Sequence, residues 1–307
     1  MKIKHNHITP DMDIETYHTQ CTEGVSLSSS SMRALLPELG GCPAKFWAHS
    51  SLNKNRIPQE KKQTLDFGRA AHSLVLGEPE FAKHFAISPW DDHRTKAAKE
   101  WVEAQEQRGV TIVRKGDFDE IEAMAKAMRR NPQTEAAFAE GKPEVSMFLK
   151  VGDVFFKSRP DYMPNDPRSR FILEYKTAVT VEPRKLSQQC FALGYDVQAA
   201  LTLLVYNGIT GDNALGIAHV VQEKKPPYLP ALFMFDGEQI EIGKRRIAKA
   251  VKIFSDCYEM HLAGQPDEIA WPGYTTAPSF FVTPSWVVNQ QEMENTDEYD
   301  PDILAAL

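Results

Sequence analysis

The chain is poor in the features that mark several large classes of protein. It has four cysteines in 307 residues (Cys21, Cys42, Cys190 and Cys257), scattered and with no CxxC pair. That spacing argues against a disulfide-stapled secreted domain and against a zinc site, and it fits a reduced, cytosolic compartment. No apolar run approaches the roughly 20 residues of a membrane span, and the opening MKIKHNHITPDMDIETYH lacks the apolar centre of a signal peptide. Neither secretion nor membrane insertion is expected. A basic excess is missing too, since the formal charge is −7. Much of that charge is local: Glu292, Glu294, Asp297, Glu298, Asp300 and Asp302 lie beyond Trp286 with no Lys or Arg among them, and removing these six leaves −1 for the rest. The body is therefore near neutral and carries basic clusters such as Lys54/Arg56/Lys61/Lys62 and Lys244/Arg245/Arg246, which permit a basic groove.

What is present is an ordinary globular composition, 42% hydrophobic and 25% charged, at a length that buries a core without staples. The serine run Ser26–Ser31 caps a helix opened by Met32, Leu35 and Leu36. Pro43–His49 is a short aromatic helix, followed by a polar linker over 53–62. Phe67, Ala70, Ala71, Leu74 and Val75 repeat at helical spacing, and further helices are predicted over Lys96–Gln107 and Asp117–Arg130. At Glu144 the period changes to that of a strand, with Gly152-Asp153 turning into a returning strand over Val154–Asp161 and a third antiparallel strand over Phe171–Ala178. One long amphipathic helix from about Lys185 to Tyr206, strands over Gly216–Gln222 and Ala231–Phe235, and a last helix ending near Gly264 complete the pattern. The expected architecture is a single α/β domain over 1–285, with a helical part at about 26–140, a core at about 141–264 and an acidic, disordered tail over 286–307.

Residues two apart on a strand share a face, so Glu174 and Lys176 project together, and Asp161 at the end of the preceding strand comes beside them. Paired carboxylates at such a junction suit Mg²⁺ or Mn²⁺, which prefer oxygen ligands, and a neighbouring lysine suits activation of water or stabilisation of phosphoryl charge. Phe171-Ile-Leu predicts a buried strand that Glu174 interrupts, and a buried charge needs a partner or a task.

Pro160-Asp161 followed at 13 positions by Glu174-Tyr175-Lys176 resembles the PD-(D/E)XK nuclease signature. Gly68-Arg-Ala-Ala-His72 upstream resembles the GxxxH element of RecB-like nucleases, and Tyr195-Asp-Val-Gln198 resembles their downstream Gln motif. Tyr17-His18, Cys42-Pro-Ala-Lys-Phe-Trp47, Thr95–Trp101, Gln222–Tyr228 and Trp271–Tyr274 resemble recurrent blocks of the exonuclease VIII (RecE-type) branch of phages and prophages. The resemblance implies a PD-(D/E)XK core, a central mixed sheet flanked by helices.

It also implies roles. Asp161, Glu174 and His72 would hold Mg²⁺, with Mn²⁺ able to substitute and the Tyr175 carbonyl as a further ligand. Lys176 would activate water or stabilise charge. Gln198 and Tyr195 would reach the active site or a DNA phosphate, as would Arg159, and Glu144 matches in type an acid that some two-metal members use. Glu174 stands where family members commonly have Asp, and Thr202 where the Gln motif often continues to Tyr. Isolated Cys190 and Cys257 predict no iron–sulfur cluster. The implied activity is a processive 5′ to 3′ exonuclease on double-stranded DNA ends that leaves 3′ overhangs for a RecT-type single-strand annealing protein. A toroidal homo-oligomer, a tetramer among the options, would supply processivity. The alternatives are an inactive DNA-end-binding recombination accessory and a structure-specific endonuclease.

Overall fold

The computed structural model describes residues 2–58, 63–90 and 92–274, together with 282, 283, 285 and 288. Residues 1–273 form one compact unit. The expected tail over 286–307 lies outside the described residues apart from Val288.

In chain order the elements are β1 (His7–Thr9), α1 (Ile14–His18), β2 (Val25–Leu27), α2 (Ser29–Leu35), α3 (Pro43–His49), α4 (Gln63–Leu76), α5 (Glu78–His84), β3 (Phe85–Ile87), α6 (Lys96–Gln107), β4 (Thr111–Val113), α7 (Lys115–Arg130) and α8 (Pro132–Ala137). There follow β5 (Gly141–Pro143), β6 (Ser146–Val151), β7 (Val154–Ser158), β8 (Tyr162–Pro164), β9 (Ile172–Ala178), α9 (Pro183–Ala192), α10 (Tyr195–Thr210), β10 (Ile217–Glu223), β11 (Pro230–Met234), α11 (Gly237–Leu262) and α12 (Asp267–Ala270). Local chemistry sets several ends. Ser28 accepts a hydrogen bond from the Ser31 N–H at the start of α2, and Asp236 does the same from the Gln239 N–H at the start of α11, each as a reciprocal capping box.

The strands form a four-stranded sheet in the order β1-β6-β7-β2, a five-stranded sheet in the order β11-β10-β9-β8-β5, and a small β3-β4 pair. The five-stranded sheet is mixed: β10 runs parallel to β9, with His219 opposite Glu174 and Val221 opposite Lys176, while β11 and β8 are antiparallel to their neighbours. The main core lies between helices α10 and α11 and both larger sheets, with Met147, Phe156, Ile172, Val197, Ile217 and Phe254 in one cluster. A second cluster packs α4, α5 and α7 around Ala70, Ala71, Phe81, Ile121 and Met124, so the stretch from α2 to α8 is mainly helical.

Two expectations need correction. The returning strand does not run unbroken from Val154 to Asp161; it stops at Ser158, and β8 begins at Tyr162 in the other sheet. Pro160 has no N–H to give to a ladder, and the break at Arg159-Pro160 carries the chain from one sheet to the next. The single helix over 185–206 is two helices, because Gly194 adopts φ +68°, a left-handed conformation that ends α9 and starts α10.

Candidate active site

The sheet-to-sheet break places the site. Asp161 sits in the bend between β7 and β8, and its Oδ2 accepts a hydrogen bond from the Tyr175 N–H at 2.7 Å. This contact pins Asp161 beside the middle of β9, where Glu174 and Lys176 emerge on one face. Lys176 Nζ lies 2.8 Å from Glu174 Oε2 and 3.5 Å from Asp161 Oδ2, so it spans both carboxylates. The Tyr175 side chain turns to the opposite face, where its hydroxyl donates to Gln222 Oε1 at 2.7 Å. Gln222 in turn donates to the Met124 and Tyr228 carbonyls, which locks β9 and β10 onto α7.

Helix α4 delivers His72. Its Nε2 is 3.1 Å from Asp161 Oδ1 and its Nδ1 is 3.9 Å from Glu144 Oε1. The approach to Asp161 is close but not aligned as a hydrogen bond, so Nε2 is buried without a hydrogen-bond partner. Glu174 is fully buried, and its Oε1 has no hydrogen-bond partner among the described residues. Glu144 precedes β6 with φ +52°, left-handed backbone that costs a non-glycine residue energy and recurs at functional sites. Its N–H donates to the Asp161 carbonyl at 3.0 Å, and its carboxylate pairs with Arg159 at 2.7 Å. Arg159 is otherwise committed to the Met12 carbonyl and Ser146 Oγ.

Helix α10 brings up the remaining expected residues. Gln198 lines a cavity of about 180 Å³ together with Glu144, Ser158, Arg159 and Asp161. Tyr195 lies one turn earlier and stacks on His219, with ring centroids 5.3 Å apart. Thr202 is fully buried and donates to the Gln198 carbonyl, while its hydroxyl meets Ser158 Oγ at 2.8 Å, tying α10 to β7. His18, Ser28 and Ser30 line the same cavity and also a larger groove of about 630 Å³, which adds Lys45, Arg56 and Lys157.

The charges divide unequally. Burial pushes the Glu174 carboxyl up, the Asp161 charge adds to it, and Lys176 opposes; the result is about 8. Asp161 is also driven up by burial, but His72 and Lys176 outweigh that and hold it well below the usual carboxylate range. Burial would lower Lys176 and His72, yet the carboxylates raise both. Two acids with pKa values pushed apart in one cluster are a hallmark of sites built for acid–base or electrostatic chemistry.

A divalent cation fits the donors in kind: carboxylate oxygens and an imidazole nitrogen, with Glu174 Oε1 buried and without a hydrogen-bond partner among the described residues. The geometry is not that of a preformed cage, since among the described residues no three His, Cys, Asp or Glu side chains stand in ligating positions. The Lys176 ammonium lies between the two carboxylates instead, 2.8 Å from Glu174 Oε2 and 3.5 Å from Asp161 Oδ2.

A family profile for a PDDEXK-like domain of unknown function, DUF3799, matches residues 28–267. The chain belongs to this family. The PDDEXK-like assignment spans α2 to the start of α12 and so includes His72, Glu144, Arg159, Asp161, Glu174, Lys176, Tyr195 and Gln198. Its mixed α/β architecture is that of the PD-(D/E)XK superfamily. A crystal structure from Eubacterium rectale described as a "Putative exonuclease" shares the fold of this PDDEXK-like chain at a TM-score of 0.55 and 15% identity, covering 77% of this chain and 82% of that one. No curated protein sequence matches the chain significantly.

The residues that sequence reading passes over are His219, Ser158 and the serine-lined groove. His219 carries a readable signal: it is a polar residue inside the apolar run Ile217-Ala-His-Val-Val221, as Glu174 is inside Ile172-Leu-Glu-Tyr175. Ser158 and the groove have none, because they depend on how α1, α2 and α10 meet.

Proposed function

We propose that this PDDEXK-like protein is a divalent-metal-dependent deoxyribonuclease acting on double-stranded DNA ends. The supporting observation is the convergence of His72, Asp161, Glu174 and Lys176, with His72 and Lys176 both paired to Asp161 and the buried Glu174 Oε1 left without a hydrogen-bond partner among the described residues. A cation held by Asp161, Glu174 and His72 would supply Lewis-acid stabilisation of phosphoryl charge and lower the pKa of a water.

The chain's own residues supply the rest. Lys176, kept protonated by its two carboxylates, faces the position where negative charge builds on the phosphoryl oxygens and stabilises it. Asp161, held ionised, keeps a fixed negative charge beside His72. Gln198 offers an amide to a phosphate oxygen from the cavity wall. The groove lined by Lys45, Arg56 and serine hydroxyls offers phosphate contacts along a strand approaching that cavity. In this reading digestion runs 5′ to 3′, the 3′ overhang passes to an annealing protein, and a ring of copies gives processivity.

Linear duplex DNA labelled separately at its 5′ and 3′ ends tests the proposal, with Mg²⁺, with EDTA, and with Lys176→Ala. Release of label as mononucleotide from the 5′ end, abolished by EDTA and by the substitution, is the expected result. Cleavage unaffected by EDTA would overturn the metal reading. Binding of DNA ends by the folded chain with no cleavage would leave the accessory-binder alternative standing in its place.

A further inference from the structure

His219 belongs to the strand beside Glu174. Because β10 is parallel to β9 and pairs His219 with Glu174, the two side chains leave the sheet on one face. The ring is held on two sides: Tyr195 stacks on it at 5.3 Å with the planes 18° apart, and Phe235 meets it edge-on at 5.1 Å. His219 is completely buried, and among the described residues neither Nδ1 nor Nε2 has a hydrogen-bond partner. A neutral imidazole has one N–H to give and one lone pair to fill, and burying both unpaired is costly. A phenylalanine would fill the same aromatic box without that cost. Glu174 Oε1, on the register-paired residue, is an acceptor buried without a donor.

We infer that His219 is a positioning residue for Glu174: its N–H, through one buried water, serves Oε1 and thereby fixes the plane of the carboxylate that Lys176 meets at Oε2. A water with two to four polar partners is an ordinary constituent of such a buried site. Burial keeps the ring neutral, which leaves one nitrogen as donor and one as acceptor. The inference rests on the reading of Glu174 as a cation ligand, since carboxylates that hold metals are themselves held by hydrogen bonds whose loss typically lowers metal affinity 10- to 100-fold.

The test uses the full chain without DNA and Mn²⁺ as the probe, with binding followed by electron paramagnetic resonance. His219→Phe keeps the stack on Tyr195 and removes the donor; His219→Gln keeps a donor. The Phe variant is expected to unfold at or above the temperature of the unmodified chain and to bind Mn²⁺ about 10- to 100-fold more weakly, with Gln recovering part of the loss. Unchanged Mn²⁺ binding in the Phe variant would overturn the inference alone. So would equal weakening in both variants accompanied by equal loss of thermal stability, which is the mark of a packing role. No Mn²⁺ binding by the unmodified chain would overturn the cation reading of Glu174, and this inference with it.

Discussion

Two buried charge clusters lie close together in sequence and differ in how they are closed. Asp196 on α10 is completely buried, and Arg246 from α11 reaches both of its oxygens at 2.8 and 2.9 Å while also donating to the Phe191 carbonyl. Gly243 makes this possible, because a Cβ there would collide with the Asp196 backbone carbonyl and keep the helices apart. Glu174 is just as buried, but one of its oxygens meets Lys176 and the other has no hydrogen-bond partner among the described residues. The first cluster has each carboxylate oxygen bonded, as a structural ion pair should. The second pairs His72 Nε2 with Asp161 but leaves Glu174 Oε1 without a hydrogen-bond partner among the described residues, a buried acceptor that calls for a water, an ion or a donor.

The contrast breaks most visibly through two substitutions. Lys176→Ala removes the group that neutralises both carboxylates, and nuclease turnover should fall by about 10²- to 10⁴-fold, measured as nucleotide release from duplex ends. Arg246→Ala strands the buried Asp196 charge and should cost about 3 to 5 kcal/mol of stability in denaturant unfolding. Activity per folded molecule should then be unchanged. An Arg246→Ala protein that is stable but inactive would make the α10–α11 pair part of the active site and erase the distinction.

Acid sharpens the same comparison. His219 is pushed down to about 3 by burial, with Lys176 adding to the effect and Asp161 opposing it, whereas in the unfolded chain it titrates near 6.5. Unfolded chains therefore bind more protons between these values, so the His219 contribution is fully present above about 6.5 and is lost as pH falls toward 3. Glu174 acts in the opposite sense: raised to about 8 from an ordinary 4.5, it favours the fold below 4.5 and loses that contribution as pH climbs to 8. The unmodified chain shows only the sum. Subtracting its stability from that of His219→Phe isolates the histidine, and the Phe variant should gain on the unmodified chain by up to a few kcal/mol as pH drops from 6.5 to 4. A difference that does not change with pH would mean that His219 is not buried neutral.

Much of this is legible in the amino-acid sequence alone. Periodicity locates α3 and α6, and the polar interruption of an apolar strand points to Glu174 and Lys176 as sharing a face. The GxxxH spacing points to His72. What periodicity cannot convey is where a chain changes sheets. The pattern over Val154–Asp161 is continuous, yet Pro160 divides it and leaves Asp161 in a bend, which is what lets its carboxylate take the Tyr175 N–H. The short edge strands β1, β2 and β5 are invisible for a related reason: three residues carry no period, and these strands exist only because longer partners accept them. Arg159 illustrates the limit for charges, since its sequence position says nothing of Glu144, Met12 and Ser146, the groups that engage it.

The smallest expected effect concerns Glu144, where strain and side chain can be separated. Its φ of +52° is natural for glycine and unfavourable for any residue with a Cβ, while its carboxylate restores stability through the half-buried pair with Arg159. Glu144→Ala removes the pair and keeps the strain; Glu144→Gly removes both. The glycine variant should therefore be the more stable of the two by about 1 kcal/mol, because relief of the left-handed backbone exceeds the added entropy of the unfolded chain. If both variants bind Mn²⁺ equally weakly, the glutamate side chain accounts for the strain, and Glu144 joins the open cluster around Asp161. If both bind as the unmodified chain does, Glu144 belongs with Asp196 among the carboxylates committed to an arginine, and the boundary between the two kinds of charge runs between Glu144 and His72.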